Sequence, residues 1–236
     1  MKSVAKEMVS KGILAADESK GTMNKRLAAV GLEGTEENLL FWRTAWRTAI
    51  LSMPTLSNYV SGVILNEETV IQHIKLLDGY PSFPQYLNEI GVIPGVKVDL
   101  GAKEVPLFDG QTITEGLDGL KNRLETFRNL GCRFTKWRAV IQANSKNEIS
   151  PIIVVANAHA LARFASISQA ADMVPIVEPE VIIDNDWDIE RVGAVTMNAI
   201  KTTMDQLTAF KVNLEAIVLK PNMVMAGYKN VEPSDP

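Results

Sequence analysis

The chain has 236 residues, 46% of them hydrophobic and 22% charged, with a formal net charge of −4. Such usage is ordinary for one large α/β domain or two small ones and excludes a disordered chain. The slightly acidic balance leaves no basic footprint for nucleic acid or an anionic membrane.

No apolar run approaches the length of a membrane span, and the opening MKSVAKEMVSKG lacks the apolar core of a secretion signal. Cys132 is the lone cysteine, which excludes an intramolecular disulfide and suits a reducing cytoplasm. With only His73 and His159 beside it, a structural zinc site is disfavoured.

Taken in chain order, short aliphatic runs alternate with helical patterns. The first run spans 12–16 and leads into DESKGTMNK, where Gly21 stands alone. Neither Gly-x-Gly-x-x-Gly nor Gly-x-x-x-x-Gly-Lys-Ser/Thr occurs, so dinucleotide and P-loop readings lose their support. Thr35-Glu36-Glu37 opens a helix running to Ile50, with acids in its first turn. Further runs cover 59–65 and 92–98, and the segment 99–116 reads as a long irregular excursion. Apolar residues at 117, 120, 124, 127 and 130 predict a helix that stops at Gly131. A run at 132–141 follows. Then comes a helix from Ser150-Pro151 through Ala171, with proline at a tolerated first-turn position. A run at 173–181, a helix over 186–210 and a final run at 214–218 complete the series. Short strands with apolar residues on both faces, alternating with helices, predict a parallel sheet with helical crossovers. The architecture is either an open doubly wound sheet or most of a (β/α)₈ barrel.

Charges cluster where these strands end. Asp17, Glu18 and Ser19 close the first run, Lys97 and Asp99 the third, and Lys136 and Arg138 lie in the fourth. Glu178 and Glu180 lie in the fifth, and Lys220 follows the sixth. Charges spaced by two share one face of a strand, and the C-terminal ends of barrel strands build active sites. Each group alone has a structural reading. Asp17-Glu18 can cap the following helix, Lys97 and Asp99 can be a solvated strand end, and Glu178 and Glu180 can pair with Lys136 and Arg138. The same habit at five strand ends argues for a site. A cluster rich in lysine repels a metal but suits a lysine nucleophile, whose neutral form is favoured by nearby cations and partial burial. A carboxylic acid is then needed to expel the carbinolamine hydroxyl, and the remaining cations suit a phosphorylated substrate.

GILAADES, GVILNEET, PGVKVD, GLDGL, RFTKWRAV, NAHALARFASI, VPIVEPE and LKPNMV together resemble class I fructose-bisphosphate aldolase. The match runs from about Lys11 to Ala226. The resemblance implies a (β/α)₈ TIM-barrel fold, a homotetramer in the cytoplasm, and no metal or cofactor. It also implies a lyase that cleaves fructose 1,6-bisphosphate through a lysine Schiff base in glycolysis and gluconeogenesis. By resemblance, Lys220 is the Schiff-base lysine, Glu178 the acid/base of imine formation and Glu180 its partner. Asp17 lies near the C4 hydroxyl, and Lys136 places charge beside the scissile bond. Ser19, Thr22, Lys25, Arg26, Lys97 and Arg138 line the sugar backbone and one phosphate. Neither nucleic acid nor membrane is an expected partner.

Departures from the family pattern carry expectations of their own. Leu39 and Leu40 replace the usual basic residues after TEEN, and Lys20 stands where a small residue is common. The sequence stops at Pro236, so only about six βα units are expected, in a single incomplete domain over 1–236. A sheet of six strands leaves two edges that a closed barrel would pair. The expectation is a chain that is poorly folded, aggregated or completed by another chain, with slow turnover. The competing reading is a non-catalytic binding or scaffold protein derived from an aldolase. A further one is another imine-forming barrel acting on a different sugar phosphate.

Overall fold

A computed structural model describes residues 1–74 and 82–231. Their contacts group the chain into two compact units, residues 2–98 with 123–135, and Met1 with residues 99–122 and 136–236. Both units are built from parallel strands followed by helices, the expected α/β class.

In the first unit the order is α1 (Lys2–Met8), β1 (Gly12–Ala16), α2 (Lys20–Ala29), α3 (Glu36–Leu51) and α4 (Leu56–Tyr59). Then come β2 (Val60–Leu65), α5 (Glu67–Val70), α6 (Phe83–Glu89) and β3 (Ile93–Lys97). β1 pairs with β2 and β2 with β3, both parallel, with Ala16 opposite Leu65 and Leu65 opposite Val96. Side-chain oxygens of Ser19, Thr35, Asn66 and Ser82 accept from the amides of Thr22, Asn38, Glu68 and Gln85. Each cap satisfies an amide that its helix leaves without an internal partner. Asp17 and Glu18 are therefore not the cap of α2, because Ser19 fills that position. Packing in this unit depends on Phe134, whose buried ring lies against Gly62 of β2 and Gly95 of β3.

The second unit carries β4 (Ala102–Glu104), β5 (Thr112–Thr114), part of α7 (Leu120–Asn129) and most of β6 (Phe134–Ile141). It continues through α8 (Pro151–Ala170), β7 (Val174–Val181), α9 (Ile189–Ala209) and β8 (Val218–Leu219). The strand order here is β6-β7-β8, with Ile176 opposite Val218 in parallel register. Trp137 of β6 is fully buried, and its ring lies 5.5 Å from that of Phe164 on α8. Strand alternation then sends Lys136 and Arg138 to the opposite face.

Three expectations are corrected. Segment 99–116 is not irregular, because β4 and β5 pair antiparallel, with Lys103 opposite Ile113. Asn157 of α8 holds this hairpin, accepting from the Thr114 amide and donating to the Thr112 carbonyl. Three-residue strands of mixed polarity show no apolar run, so periodicity passes over them. The run at 214–218 is largely not strand. Asn213 accepts from the Glu215 amide and starts a 3₁₀ turn over Leu214–Ala216, leaving Val218–Leu219 as β8. Finally, α8 does reach membrane-span length and composition, with a mean hydropathy of 1.3 over its apolar window. Small alanines and scattered polar residues hide this in the sequence. Ten of its residues are buried, and it packs on β7 and α9 as a core helix.

Candidate active site

The second unit gathers five of the expected residues. Glu178 leaves β7 with only 5% of its surface exposed. Its Oε1 lies 2.5 Å from Lys220 Nζ and its Oε2 lies 2.8 Å from Lys136 Nζ. Both amines thus meet one buried carboxylate from opposite oxygens. Burial of a carboxylate is tolerable only with such pairing. Two positions on, Glu180 accepts from Arg138 Nε. The structural pairing and the catalytic grouping that the sequence leads one to expect therefore share the same contacts, extended by Lys220.

Backbone geometry holds these groups in place. The Lys220 amide donates to the Val177 carbonyl at 2.9 Å, carrying the β7–β8 ladder one residue past the strand. Pro221 follows and offers no amide. Asn222 then accepts from the Val181 amide at 3.0 Å and donates to Thr196 Oγ1 at 3.1 Å. This side chain ties the Lys220 turn to the end of β7 and to α9. The sequence reading assigned Asn222 nothing, although it lies within LKPNMV. Asp99 is also structural: its carboxylate accepts from the amides of Gly101 and Arg138. Burial works against the charge of Arg138. Glu180, with Glu178 and Asp99 nearby, outweighs burial and holds the guanidinium above its ordinary range.

The first unit holds the other candidates. Asp17 follows β1 and is 8% exposed. Ser19 Oγ accepts from the Thr22 amide and lies 3.0 Å from Thr22 Oγ1, so these two hydroxyls already satisfy one another. Arg26 is ion-paired with Glu18 at 2.5 Å, while Lys25 lies on the exposed face of α2. Lys97 ends β3 and is half-buried. Of the positions that depart from the family pattern, Leu40 is exposed and Lys20 pairs with Glu68 at 3.2 Å.

Sequence reasoning also missed a buried ionic cluster in this unit. Arg43 and Arg47 are 0% and 1% exposed and share the carboxylate of Glu68. Two arginines four apart occupy a helical stripe that continues to buried Leu51, where periodicity leads one to expect apolar side chains. Among the described residues, no group of three or more His, Cys, Asp or Glu side chains gathers as metal ligands do.

The chemistry open to the Glu178 group follows from proton position. Transfer of one proton from Lys220 to Glu178 leaves a neutral amine beside a carboxylic acid. Those are the nucleophile and the acid that imine formation uses.

The whole chain, residues 1–236, matches the sequence profile of the family described as fructose-bisphosphate aldolase class-I. It is similar to the probable fructose-bisphosphate aldolase class 1 of Xanthomonas campestris pv. campestris. The two are 48% identical over 218 residues, covering 92% of this chain and 63% of that protein. It is 44% identical to fructose-bisphosphate aldolase 6, cytosolic, of Arabidopsis thaliana, over 94% of this chain and 60% of that one. The solved fructose-bisphosphate aldolase of Plasmodium falciparum superposes with a TM-score of 0.92 at 38% identity. That match covers 99% of this chain and 66% of the solved one. The chain thus spans somewhat less than two thirds of the length of these curated relatives. By sequence profile and by fold, a (β/α)₈-type α/β architecture, it belongs to the class I fructose-bisphosphate aldolase family.

Proposed function

We propose that this chain is an aldolase domain over 1–236. Its reaction is reversible cleavage of fructose 1,6-bisphosphate to dihydroxyacetone phosphate and glyceraldehyde 3-phosphate through a Schiff base on Lys220. The setting is glycolysis and gluconeogenesis in the cytoplasm, within a homo-oligomer that is a tetramer in the family. The observation that carries the reading is the pair of amines on Glu178. Lys136 is 7% exposed at its side chain and Lys220 is 46% exposed. Only the second is open to a ketose carbonyl.

In this scheme neutral Lys220 Nζ adds to the C2 carbonyl. Glu178 gives its proton to the carbinolamine hydroxyl, and water leaves to give the iminium. The C3–C4 bond then breaks, its electron pair passing into the iminium to form an enamine. The C4 hydroxyl loses its proton to Asp17, and the aldehyde departs as glyceraldehyde 3-phosphate. Protonation at C3 and hydrolysis of the imine return Lys220 and release dihydroxyacetone phosphate. Lys136 holds charge beside Glu178. Glu180 keeps Arg138 in place for a phosphate or hydroxyl. Ser19, Thr22, Lys25, Arg26 and Lys97 bind the sugar backbone and one phosphate, and these roles, with that of Asp17, rest on the family motifs.

Reduction with borohydride in the presence of dihydroxyacetone phosphate tests the scheme. The peptide containing Lys220 should gain the mass of the reduced ligand. Labelling at Lys136 or Lys97 alone would overturn the assignment. A folded chain that binds the ligand yet traps none favours the non-catalytic reading instead.

A further inference from the structure

Glu68 stands just beyond the end of β2, where Asn66 caps its short helix at 2.9 Å. Its Oε1 accepts from Arg43 Nε at 3.0 Å and from Arg47 Nη1 at 2.9 Å. Its Oε2 accepts from Arg43 Nη2 at 3.0 Å and pairs with Lys20 Nζ at 3.2 Å. Three cations therefore meet on one carboxylate that is itself 9% exposed at its side chain. Glu36 adds a second carboxylate, 2.7 Å from Arg43 Nη2.

Such a cluster reaches the turn between β1 and α2 at one point and the first turns of α2 at two more. Arg47 Nη2 donates to the backbone carbonyl of Glu18 at 3.0 Å. Lys20, the first residue of α2, is drawn to Glu68. Arg43 Nη1 donates to Asn24 Oδ1 at 2.9 Å, one turn further along α2. Glu18 lies between Asp17 and Ser19. A buried guanidinium bonded to its carbonyl fixes the Glu18–Ser19 peptide plane, directly after Asp17. Arginine is needed here because one planar fork must serve Glu68 with one arm and the carbonyl with the other. A lysine at 47 can satisfy Glu68 but offers no second, rigid arm.

We propose that Arg47 is a positioning residue. Anchored on Glu68, it sets the Asp17–Ser19 turn in the conformation that C3–C4 cleavage requires. The assignment rests on the aldolase reading above. It concerns only the half-reaction given to Asp17, and not imine formation by Lys220 and Glu178.

The test uses Arg47→Lys and Arg47→Met in the full chain, with two readouts. The first is backbone amide exchange over residues 18–22. Losing one buried hydrogen bond should speed it by about five- to tenfold, against unchanged exchange in β7 and β8. The second is the ratio of fructose 1,6-bisphosphate cleavage to borohydride trapping of dihydroxyacetone phosphate, each per folded molecule. That ratio should fall by about tenfold or more in both variants, with trapping at the parent level. A purely structural role predicts equal loss of cleavage and trapping, or none, and either result overturns the proposal. If the parent chain traps nothing, the aldolase reading itself has failed. The exchange measurement then decides alone, and unchanged exchange over 18–22 overturns the positioning role.

Discussion

Lys220 Nζ lies 2.5 Å from Glu178 Oε1, while Lys136 Nζ lies 2.8 Å from the other oxygen of the same carboxylate. The two lysines share a partner but not an environment. Lys136 is enclosed beside Trp137 on β6, whereas Lys220 follows the short β8 and remains open. One carboxylate thus meets a buried amine on one oxygen and a half-exposed amine on the other.

Replacing Glu178 with Gln separates catalysis from packing. Loss of the proton donor should slow imine formation by roughly 10²–10⁴-fold. It also removes the Glu178 carboxylate from buried Lys136, and breaking a buried pair costs up to about 3–5 kcal/mol. Single-turnover trapping, normalised to the folded fraction, should show the rate loss in full. A variant with a lower thermal midpoint but a nearly unchanged rate per folded molecule would reduce Glu178 to a structural ion pair.

Chelation should leave any activity of the chain unaltered. The charges around Glu178 are two lysines, with Arg138 and Glu180 alongside, and a divalent cation placed there would face three cationic groups. The check is a coupled assay before and after exhaustive EDTA dialysis. Activity that disappears and returns on adding zinc would contradict lysine-based chemistry.

Much of this site is legible in the sequence because charges at the ends of apolar strands are costly and therefore informative. Glu178, Glu180, Lys136 and Arg138 announce themselves in that way, and their spacing by two gives the shared face. Arg43 and Arg47 do not. Arginines on a helix ordinarily read as a solvated face, and their partner Glu68 is 25 residues from Arg43. Only the fold closes that distance. Asn222 is hidden differently, since a lone asparagine after proline reads as a turn residue. The hairpin of β4 and β5 is invisible because its stability comes from Asn157 on α8, which no local pattern reveals.

Glu68 should shape the acid limb of stability. Burial works to raise its carboxyl pKa. Hydrogen bonds from Arg43, Lys20 and Arg47 outweigh that, and the group sits below its ordinary value of 4.5. A carboxyl lowered in the folded state contributes stability that is fully present above the unfolded value. That contribution is lost as the pH falls through the folded value. Urea midpoints measured from pH 7 down to pH 3 should therefore decline below about pH 4.5. In Glu68→Gln the neutral midpoint should be lower and the acid decline shallower. An equally steep decline in the variant would show that other carboxylates govern the acid limb.

Gly95 and Phe134 offer a test of the packing inside the first unit. A Cβ added to Gly95 would overlap the Phe134 ring at its Cδ2, and one on Gly62 of the neighbouring strand would lie 3.3 Å from the same ring, tighter than ordinary contact. Phe134 is fully buried, so the ring cannot swing into solvent. Gly95→Ala should therefore destabilise the chain by about 1–3 kcal/mol through overpacking. Its backbone φ is not in the left-handed region, so strain from alanine itself does not contribute. Phe134→Leu alone should also destabilise, by leaving a cavity over the two glycines. Combined, the two changes relieve one another, because the added methyl occupies space that the smaller side chain vacates. The double variant should be more stable than the sum of the single effects predicts, by at least about 0.5 kcal/mol. Chemical denaturation of the four proteins gives the coupling directly. Strict additivity would mean that the ring moves away from Gly95 at no cost.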